Sequence, residues 1–188
     1  MRIIAGRHKG RKLSAPQGSD TRPTSDRARE TLFNILVHGG FHPGGTSPLI
    51  EAAVLDVFCG SGALGLEALS RGAARVVFMD SSKAALAAAQ ANAGDLDEQA
   101  ACHFLQNDGE APGKATGAFT LVFLDPPYGK GLGGKSLSAL SHEGWIAPGA
   151  LCILETGKDE VFVPPTGFRV LKERSEGAAK IIFLKYAP

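Results

Sequence analysis

One stretch of this sequence restricts its fold more than any other: residues 54–72, which read VLDVFCGSGALGLEALSRG. It opens with an apolar run of the kind found in strands that are buried on both faces of a parallel sheet. The run stops at a glycine-rich turn and continues with leucines at helical spacing. A strand, a glycine turn and a helix in this order leave backbone N–H groups exposed at the helix N-terminus, where ligands bind. We therefore expect a ligand at this turn.

The turn carries the pattern GxGxxG at Gly60, Gly62 and Gly65. Glycines at the first two positions can adopt a positive φ and let a ligand approach the backbone closely. The next apolar run, residues 74–79, ends in Asp80, and a carboxylate there can accept hydrogen bonds from both hydroxyls of a ribose. The pattern suits a dinucleotide and S-adenosyl-L-methionine (SAM) equally well, and a tight turn without a ligand also fits it. This motif alone does not choose between them.

The length of 188 residues suits one domain, or one domain with a small appendage, and a core that needs no disulfides. The three cysteines, Cys59, Cys102 and Cys152, are far apart and lack metal-ligand spacing, so we expect reduced thiols and no metal. The polar, basic N-terminus is unlike a signal peptide, and no apolar run reaches the roughly 18 residues of a membrane span. We expect a soluble, cytoplasmic monomer that does not enter membranes.

The net charge of +1 conceals an uneven distribution of charged residues. Residues 1–30 carry eight Lys or Arg and three acids, whereas residues 31–188 carry 12 basic and 16 acidic side chains. A basic end on a mildly acidic body predicts contact with a local anionic partner rather than general adhesion to polyanions. An ordinary solvated surface is the alternative interpretation of the same charges.

The rest of the chain predicts alternating strands and helices. Before the main body, which begins near residue 49, we expect a hairpin at 1–15, a helix from Thr24 or Ser25 to about 38, and a Gly/Pro-rich linker at 39–48. The predicted strands are 53–58, 74–79, 101–106, 119–124, 149–155, 167–174 and 179–186, and the predicted helices of the body are 62–71, 82–93 and 133–143. This alternation predicts an α/β, Rossmann-like fold with a seven-stranded, mostly parallel sheet and one antiparallel edge strand.

A second motif follows the fourth predicted strand, where Asp125-Pro126-Pro127-Tyr128 comes directly after residues 119–124. Ligands of doubly wound sheets bind at the carboxyl ends of the strands, so Asp125 should stand beside the ligand of the glycine turn. The prolines fix the backbone and lack N–H donors, which leaves the Asp125 carboxylate and the Pro126 carbonyl as acceptors that face one point. Tyr128 offers a flat face on which a base can stack.

Such a pair of acceptors suits methyl transfer to the exocyclic amine of a nucleobase. That amine is a poor nucleophile because its lone pair is delocalised into the ring. Two fixed acceptors can hold its hydrogens, turn the lone pair toward the methyl group of SAM and stabilise the positive charge that develops on nitrogen. A dehydrogenase has no use for these acceptors. The plain alternative is a strand that ends in a Pro-Pro turn with an exposed tyrosine.

Together, the glycine turn, Asp80 and the Asp-Pro-Pro-Tyr motif resemble class I SAM-dependent amino-methyltransferases. The N-terminal sequence is similar to the bacterial small-subunit rRNA guanine-N2 methyltransferase D family, with RIIAG at 2–6, GRKL at 10–13, RPT at 22–24 and DRARETLFN at 26–34. The match covers nearly the whole chain and keeps the order of the motifs. It implies a class I methyltransferase fold, SAM as cofactor and, as substrate, one guanine of 16S rRNA in an assembling small ribosomal subunit.

The resemblance also implies roles for individual residues. The methionine part of SAM would be held by the turn residues Gly60, Ser61 and Gly62, with Asp56 beneath them. Asp80 would bind the ribose, and Asp108 would bind the adenine. The target guanine would be bound by Asp125, Pro126 and Tyr128, the last of which replaces the phenylalanine of many relatives. The basic N-terminal extension, residues 1–48, would contact RNA phosphates through Arg7, Lys9, Arg11, Lys12, Arg22 and Arg29.

Other functions fit parts of this sequence. The Pro-Pro motif alone does not distinguish guanine from DNA adenine or a protein glutamine amide, although DNA enzymes usually carry a separate recognition domain. A non-enzymatic RNA-binding assembly factor would use the basic N-terminus alone. Four further residues keep two interpretations each: Lys130 and Lys135 could grip phosphates or lie in a mobile loop, Glu155 could shape the guanine pocket or form a salt bridge, and Arg29 could pair with Glu30.

Overall fold

The computed structural model describes residues 1–15, 26–41 and 45–188. Its helices are α1 (Asp26–His38), α2 (Ala63–Ser70), α3 (Lys83–Asp95) and α4 (Leu132–His142). Its strands are β1 (Ala53–Val57), β2 (Arg75–Met79), β3 (Cys102–Leu105), β4 (Phe119–Leu124), β5 (Ile146–Gly157), β6 (Phe168–Glu176) and β7 (Ala179–Tyr186). Among these residues, no helix combines the length and the apolar character needed to cross a bilayer.

The strands form one mixed sheet in the order β3-β2-β1-β4-β5-β7-β6. The first five strands pair in parallel, and β7 runs antiparallel to both β5 and β6. The predicted seven-stranded, mostly parallel Rossmann-like sheet, with antiparallel pairing at one edge, is therefore confirmed. The antiparallel strand itself lies one place in from the edge, because the two-residue turn Gly177-Ala178 folds β7 back between β5 and β6.

Both faces of the sheet are buried, which explains why the strands read as continuous apolar runs. In β1, Val54 packs into a cluster with residues of α1, α2 and α3. Leu55 and Val57 point to the opposite face and pack with Leu137 and Leu140 of α4. The result is a three-layer α/β sandwich whose rigid strands present their carboxyl ends at a common edge.

Helix α1 packs on the sheet through Leu32, Phe33 and Leu36, as its apolar spacing predicts. Its predicted N-terminal caps, Thr24 and Ser25, lie outside the described residues. The predicted linker is only partly described, because residues 42–44 are not included.

Residues 1–15, the N-terminal arm, fold back on themselves as the hairpin prediction requires, with an antiparallel bridge between Arg2 and Lys12 and backbone hydrogen bonds on either side of it. Ile3 and Leu13 are buried in the same cluster as α2 and α3. The arm thus packs directly on the main body. The predicted division of the chain at residue 48 stays a prediction.

Candidate functional site

The site lies at β1, where the order of the strands reverses: β2 and β3 are added on one side of β1, and β4 and β5 on the other. Strand β1 has β2 on one side and β4 on the other, and its last residue pairs with the last residue of each. The residues that follow, Phe58, Asp80 and Asp125, therefore emerge side by side at the carboxyl edge. A crevice at such a switch point is where doubly wound sheets bind their ligands.

The glycine turn between β1 and α2 places its backbone in the left-handed region at Gly60 (φ 53°) and Gly62 (φ 76°). A Cβ built on Gly60 would meet no described atom within 4 Å, so the space above this residue is open to a ligand. A Cβ on Gly65 would lie 2.4 Å from the ring of Phe78. Gly60 thus provides room for a ligand, whereas Gly65 allows α2 to approach the sheet closely.

Asp80 is bound to the glycine turn. Its Oδ2 accepts a hydrogen bond from the Gly60 amide at 3.0 Å, and its Oδ1 accepts one from Ser82 N at 2.9 Å. Each carboxylate oxygen can accept a second hydrogen bond. The carboxylate can therefore fix the turn and bind two ribose hydroxyls at the same time.

Asp56 lies beneath the turn and is 1% exposed. Its Oδ2 accepts a hydrogen bond from the Gly65 amide at 2.9 Å, near the N-terminus of α2. Burial raises the pKa of Asp56 well above its ordinary value, and the nearby charges of Asp125 and Asp80 raise it further, against the opposing effect of the Gly65 hydrogen bond. The carboxyl groups of Asp80 and Asp125, at the ends of neighbouring strands, make a crevice that favours a cationic ligand.

Asp108 follows β3 and is exposed, and its Oδ1 accepts a hydrogen bond from Glu110 N at 2.9 Å. The next residue, Gly109, packs against Phe58, because a Cβ built there would lie 2.7 Å from the phenylalanine ring. The Asp108 turn therefore borders the crevice through Phe58. The role of Asp108 toward an adenine stays a prediction.

The Asp-Pro-Pro-Tyr motif follows β4 at the same edge. The Asp125 amide donates to Val57 O at 3.4 Å, Pro126 is buried, and Tyr128 is 45% exposed. The Tyr128 hydroxyl donates to Oε1 of Glu155, which is 6% exposed. Burial raises the pKa of Glu155, and the hydrogen bond from Tyr128 opposes that shift. A tyrosine, rather than a cation, is thus the partner found for Glu155.

Asn92 is a site residue that the sequence interpretation missed. It is fully buried in α3, and its Nδ2 donates to Ser61 O at 2.9 Å and to Ser14 O at 3.0 Å. Its Oδ1 accepts from Ser14 N at 2.8 Å. One amide side chain therefore joins the glycine turn to the N-terminal arm. The available signal was a lone asparagine in an alanine-rich helix.

Glu67 was missed for the same reason, as a lone acid in the apolar helix α2. Its fully buried carboxylate accepts hydrogen bonds from Ile4 N at 2.7 Å and Ala5 N at 3.0 Å. Arg71 Nε donates to it at 2.6 Å and balances its charge. Buried polar side chains of both helices therefore hold the arm: Glu67 on α2 and Asn92 on α3.

The basic residues of the arm differ in their contacts. Arg7 pairs with Glu98 at 2.6 Å, and Arg11 donates to the backbone carbonyl of Asp95. Lys9 and Lys12 are exposed on the same arm. All four side chains are accessible, so the prediction that they contact phosphates stands for each of them, with Arg7 and Arg11 already anchored to the body.

The prediction that Arg29 contacts RNA is wrong for the structure as it stands, because its side chain is 1% exposed. Arg29 donates to the Arg2 carbonyl at 2.6 Å and to Asp26 Oδ1 at 2.8 Å. Its ion-pair partner is Asp26, and not Glu30 as the alternative interpretation supposed. Arg29 therefore ties α1 to the arm. Arg22 lies outside the described residues.

The loop after Tyr128 carries the two lysines whose role was left open. Lys135, in the first turn of α4, forms an ion pair with Glu110 at 3.3 Å. Lys130 is exposed beside the motif. Lys130 therefore stays a candidate for phosphate contact, whereas Lys135 also has a structural contact across the groove between α4 and the 110–113 segment.

Comparison with known proteins agrees with this geometry. The family described as "Conserved hypothetical protein 95" matches residues 1–185. The Ribosomal RNA small subunit methyltransferase D of Haemophilus influenzae is 36% identical over 187 residues, which cover 94% of this chain and 89% of that protein. The protein of the same name from Escherichia coli is 37% identical over 163 residues, which cover 83% of this chain and 74% of that protein.

Solved structures show the same fold. The yhhF protein of Escherichia coli superposes with a TM-score of 0.83 at 33% identity and covers 100% of this chain and 98% of its own. An RNA methyltransferase from Salinibacter ruber, crystallised with S-adenosyl-L-homocysteine, shares the fold at 14% identity and a TM-score of 0.62, with 88% of this chain and 94% of its own covered.

The predicted cofactor, SAM, is confirmed at the level of the family, because class I methyltransferases use it. The site fits that cofactor: the space above Gly60 is open, and the carboxylate of Asp80 stands at the end of the neighbouring strand. The family match spans residues 1–185, and two curated relatives are 36% and 37% identical, so this chain belongs to the family of the ribosomal RNA small subunit methyltransferase D proteins.

Proposed function

We propose that this protein transfers a methyl group from SAM to the exocyclic N2 amine of one guanine of 16S rRNA, in an assembling small ribosomal subunit. One observation carries the proposal: the Asp-Pro-Pro-Tyr motif lies beside the glycine turn, with Asp125 N hydrogen-bonded to Val57 O at 3.4 Å. The names of the relatives, ribosomal RNA small subunit methyltransferase D, support rRNA as the substrate.

The cofactor would lie across the carboxyl ends of β1 and β2. Asp80 would accept the ribose hydroxyls, and the backbone of Gly60, Ser61 and Gly62 would line the methionine portion. Asp56, beneath the turn, would favour the positive end of the cofactor. When bound, SAM supplies an electrophilic methyl group on a sulfonium.

The target base would lie at the end of β4. Its N2 amine would donate hydrogen bonds to the Asp125 carboxylate and to the Pro126 carbonyl, which directs the nitrogen lone pair away from these acceptors. As the nitrogen takes the methyl carbon and the bond from that carbon to sulfur breaks, the same acceptors would stabilise the positive charge on nitrogen. The cofactor would leave as neutral S-adenosyl-L-homocysteine, and the nitrogen would give one proton to water, which restores a neutral amine. Tyr128 would stack on the guanine ring.

The arm would position the RNA by contacts to phosphates. Lys9 and Lys12 are exposed, and Arg7 and Arg11 lie on the same loop. Because the arm is hydrogen-bonded to α2 and α3, it presents these cations at a fixed place relative to the crevice. Residues 1–48 are therefore proposed as the RNA-binding extension of the methyltransferase body.

The test is transfer of tritiated methyl groups from SAM to four acceptors: naked 16S rRNA, small subunits that lack the modification, double-stranded DNA and a mixture of ribosomal proteins. We expect label in rRNA or in small subunits, recovered as N2-methylguanosine after digestion to nucleosides. Label recovered as N6-methyladenine from DNA, or in protein, would contradict the proposal. No binding of SAM by calorimetry, together with no transfer to any acceptor, would favour a non-enzymatic assembly factor.

A further inference from the structure

A specific hydrogen bond joins the base-stacking residue to the neighbouring strand. The Tyr128 hydroxyl donates to Oε1 of Glu155. In the sheet, Leu124 pairs with Leu154, so Glu155 is the strand neighbour of Asp125. Tyr128 is 45% exposed, whereas the carboxylate that anchors its hydroxyl is almost completely buried. The ring is therefore accessible to a ligand while its far end is fixed.

The last residue of β5 and the turn after it hold the same loop at two further points. A Cβ built on Gly157 would lie 3.7 Å from Cβ and Cγ of Tyr128, so the tyrosine packs against this part of the strand. The amide of Gly129, the residue after Tyr128, donates to Glu160 Oε2 at 3.0 Å. Glu160 is itself anchored, because Lys180 Nζ donates to its backbone carbonyl at 2.8 Å. The end of β5 thus acts as a support for the tyrosine loop.

Stacking does not require the hydroxyl of Tyr128, because a phenylalanine would offer the same face to a base. The hydroxyl should therefore have another role. A buried carboxylate is unfavourable without hydrogen-bond donors, and the tyrosine provides one to Glu155. In return, the hydrogen bond restricts rotation of the ring about its two side-chain torsions. A ring fixed in advance loses less entropy when a base stacks on it.

We propose that Glu155 is a positioning residue, which orients the Tyr128 ring for stacking on the target guanine through the hydrogen bond to its hydroxyl. This inference rests on the proposed function, since it assumes that a base stacks on Tyr128. Glu155 does not contact the base itself. It acts on turnover only through the tyrosine.

A double-mutant cycle tests this coupling. We expect Tyr128→Phe and Glu155→Ala each to reduce kcat/KM for the rRNA substrate about 5- to 20-fold, a part of the full loss of one stacked base. The double variant should be no worse than either single variant, because both remove the same hydrogen bond. Glu155→Gln should keep most of the activity, since its amide oxygen still accepts from the hydroxyl. SAM affinity should not change in any of them.

A measurement on the free protein separates this inference from the proposed function. The chain contains two tyrosines, so protein labelled with ¹³C at the tyrosine Cζ gives two signals, and Tyr128→Phe identifies that of Tyr128. We expect Glu155→Ala to shift the Tyr128 signal, and Glu173→Gln, which removes an exposed carboxylate on β6, to leave it unchanged. An unmoved signal in Glu155→Ala would overturn the inference whatever the substrate.

Two kinetic outcomes would also overturn it. If the losses in Tyr128→Phe and Glu155→Ala multiply in the double variant, the two residues act independently. If Glu155→Gln causes a further loss of kcat/KM in the Tyr128→Phe background, where the hydrogen bond is already absent, the carboxylate acts on the base directly. Failure of the proposed function would give a different result. The wild-type protein would transfer no methyl group to guanine, while Glu155→Ala would still shift the Tyr128 signal.

Discussion

Asn92 of α3 donates a hydrogen bond to the backbone carbonyl of Ser61, at 2.9 Å, while the same side chain exchanges two hydrogen bonds with Ser14. The glycine turn that is to hold the cofactor and the arm that is to hold RNA therefore share one buried amide. A change in the glycine turn or in the arm therefore alters the hydrogen bonds that Asn92 can make with the other one.

Asn92→Ala is therefore expected to weaken SAM binding although the side chain lies beneath the turn. The variant leaves the partner groups of Ser61 and Ser14 without this amide, and each buried group left unsatisfied costs about 1–3 kcal/mol. We expect a SAM Kd about 10-fold higher by calorimetry and a lower free energy of unfolding. Gln90→Ala, at an exposed position of the same helix, is the matched control. Equal SAM affinity in both variants would show that the turn does not depend on Asn92.

Asp125 and Asp80 should separate chemistry from cofactor binding. We expect Asp125→Ala to abolish methyl transfer while the SAM Kd changes less than about 3-fold, because this carboxylate serves the target amine. Asp80→Ala should raise the SAM Kd about 10- to 100-fold, the equivalent of losing hydrogen bonds to a charged group. Calorimetry and single-turnover transfer with saturating SAM distinguish the two effects. Near-normal transfer by Asp125→Ala would disprove the mechanism.

Gly60 and Gly65 should fail in different ways when replaced by alanine. At Gly60 the added Cβ meets open space, but φ is 53°, so we expect a loss of about 1–2 kcal/mol in stability and a much weaker SAM affinity. At Gly65 the Cβ would lie 2.4 Å from the Phe78 ring, and overpacking of this kind typically costs about 1–3 kcal/mol. Urea denaturation and SAM titration of both variants check the contrast; a Gly60→Ala protein that binds SAM normally would contradict it.

Asp56 should make stability depend on pH. Because burial raises its pKa, the folded state holds this proton more tightly than the unfolded chain, and the free energy of unfolding falls as pH rises above the ordinary value of 3.8. Asp56→Asn lacks that ionisation. We therefore expect the stability of Asp56→Asn relative to wild type to increase between about pH 4 and pH 7, measured by denaturant titration without SAM. A difference that stays constant or decreases would show that Asp56 is not destabilised by its burial.

Exposed lysines of the arm should govern the salt dependence of RNA binding. If Lys9 and Lys12 each neutralise one phosphate, the double Ala variant should reduce the slope of log affinity against log salt by about 1.4–1.8. Filter binding to an rRNA fragment at four salt concentrations measures the slope. Lys172→Ala/Arg174→Ala, which removes two exposed cations from β6, is the control. An unchanged slope in the arm variant would remove these lysines from the RNA surface.

The elements of the fold followed from local pattern, because a strand buried on both faces and an alanine- or leucine-rich helix leave clear marks in the sequence. Strands β4 and β7 have the predicted bounds, β1 and β2 are one residue shorter at one end, and β3 is one residue shorter at each end. Strand β5 is longer than predicted at both ends, since Ile146 already pairs with Phe119 before an irregularity in the register. Apolar periodicity does not show where such an irregular segment begins.

The missed parts of the site depend on contacts between distant residues. Nothing local in α2 shows that Glu67 receives the amides of Ile4 and Ala5, which are more than 60 positions away. Arg29 is part of an amphipathic helix, where an arginine is normally solvated, but here it is buried and donates a hydrogen bond to the Arg2 carbonyl, 27 positions away. Local patterns predict which residues lie at a sheet edge, whereas the packing of an irregular arm depends on the assembled surface beneath it.

The arm has a consequence for the order in which the nascent chain acquires its structure. Besides Arg29 of α1, its partners lie on α2, on α3 and at Glu98, the last of them 91 positions after Arg7. During synthesis, residues 1–15 therefore lack most of these partners until the chain has been made as far as Glu98. The glycine turn and the N-terminal arm should then become ordered together, late in folding. In fragments that stop before α3, the arm should stay accessible to proteases.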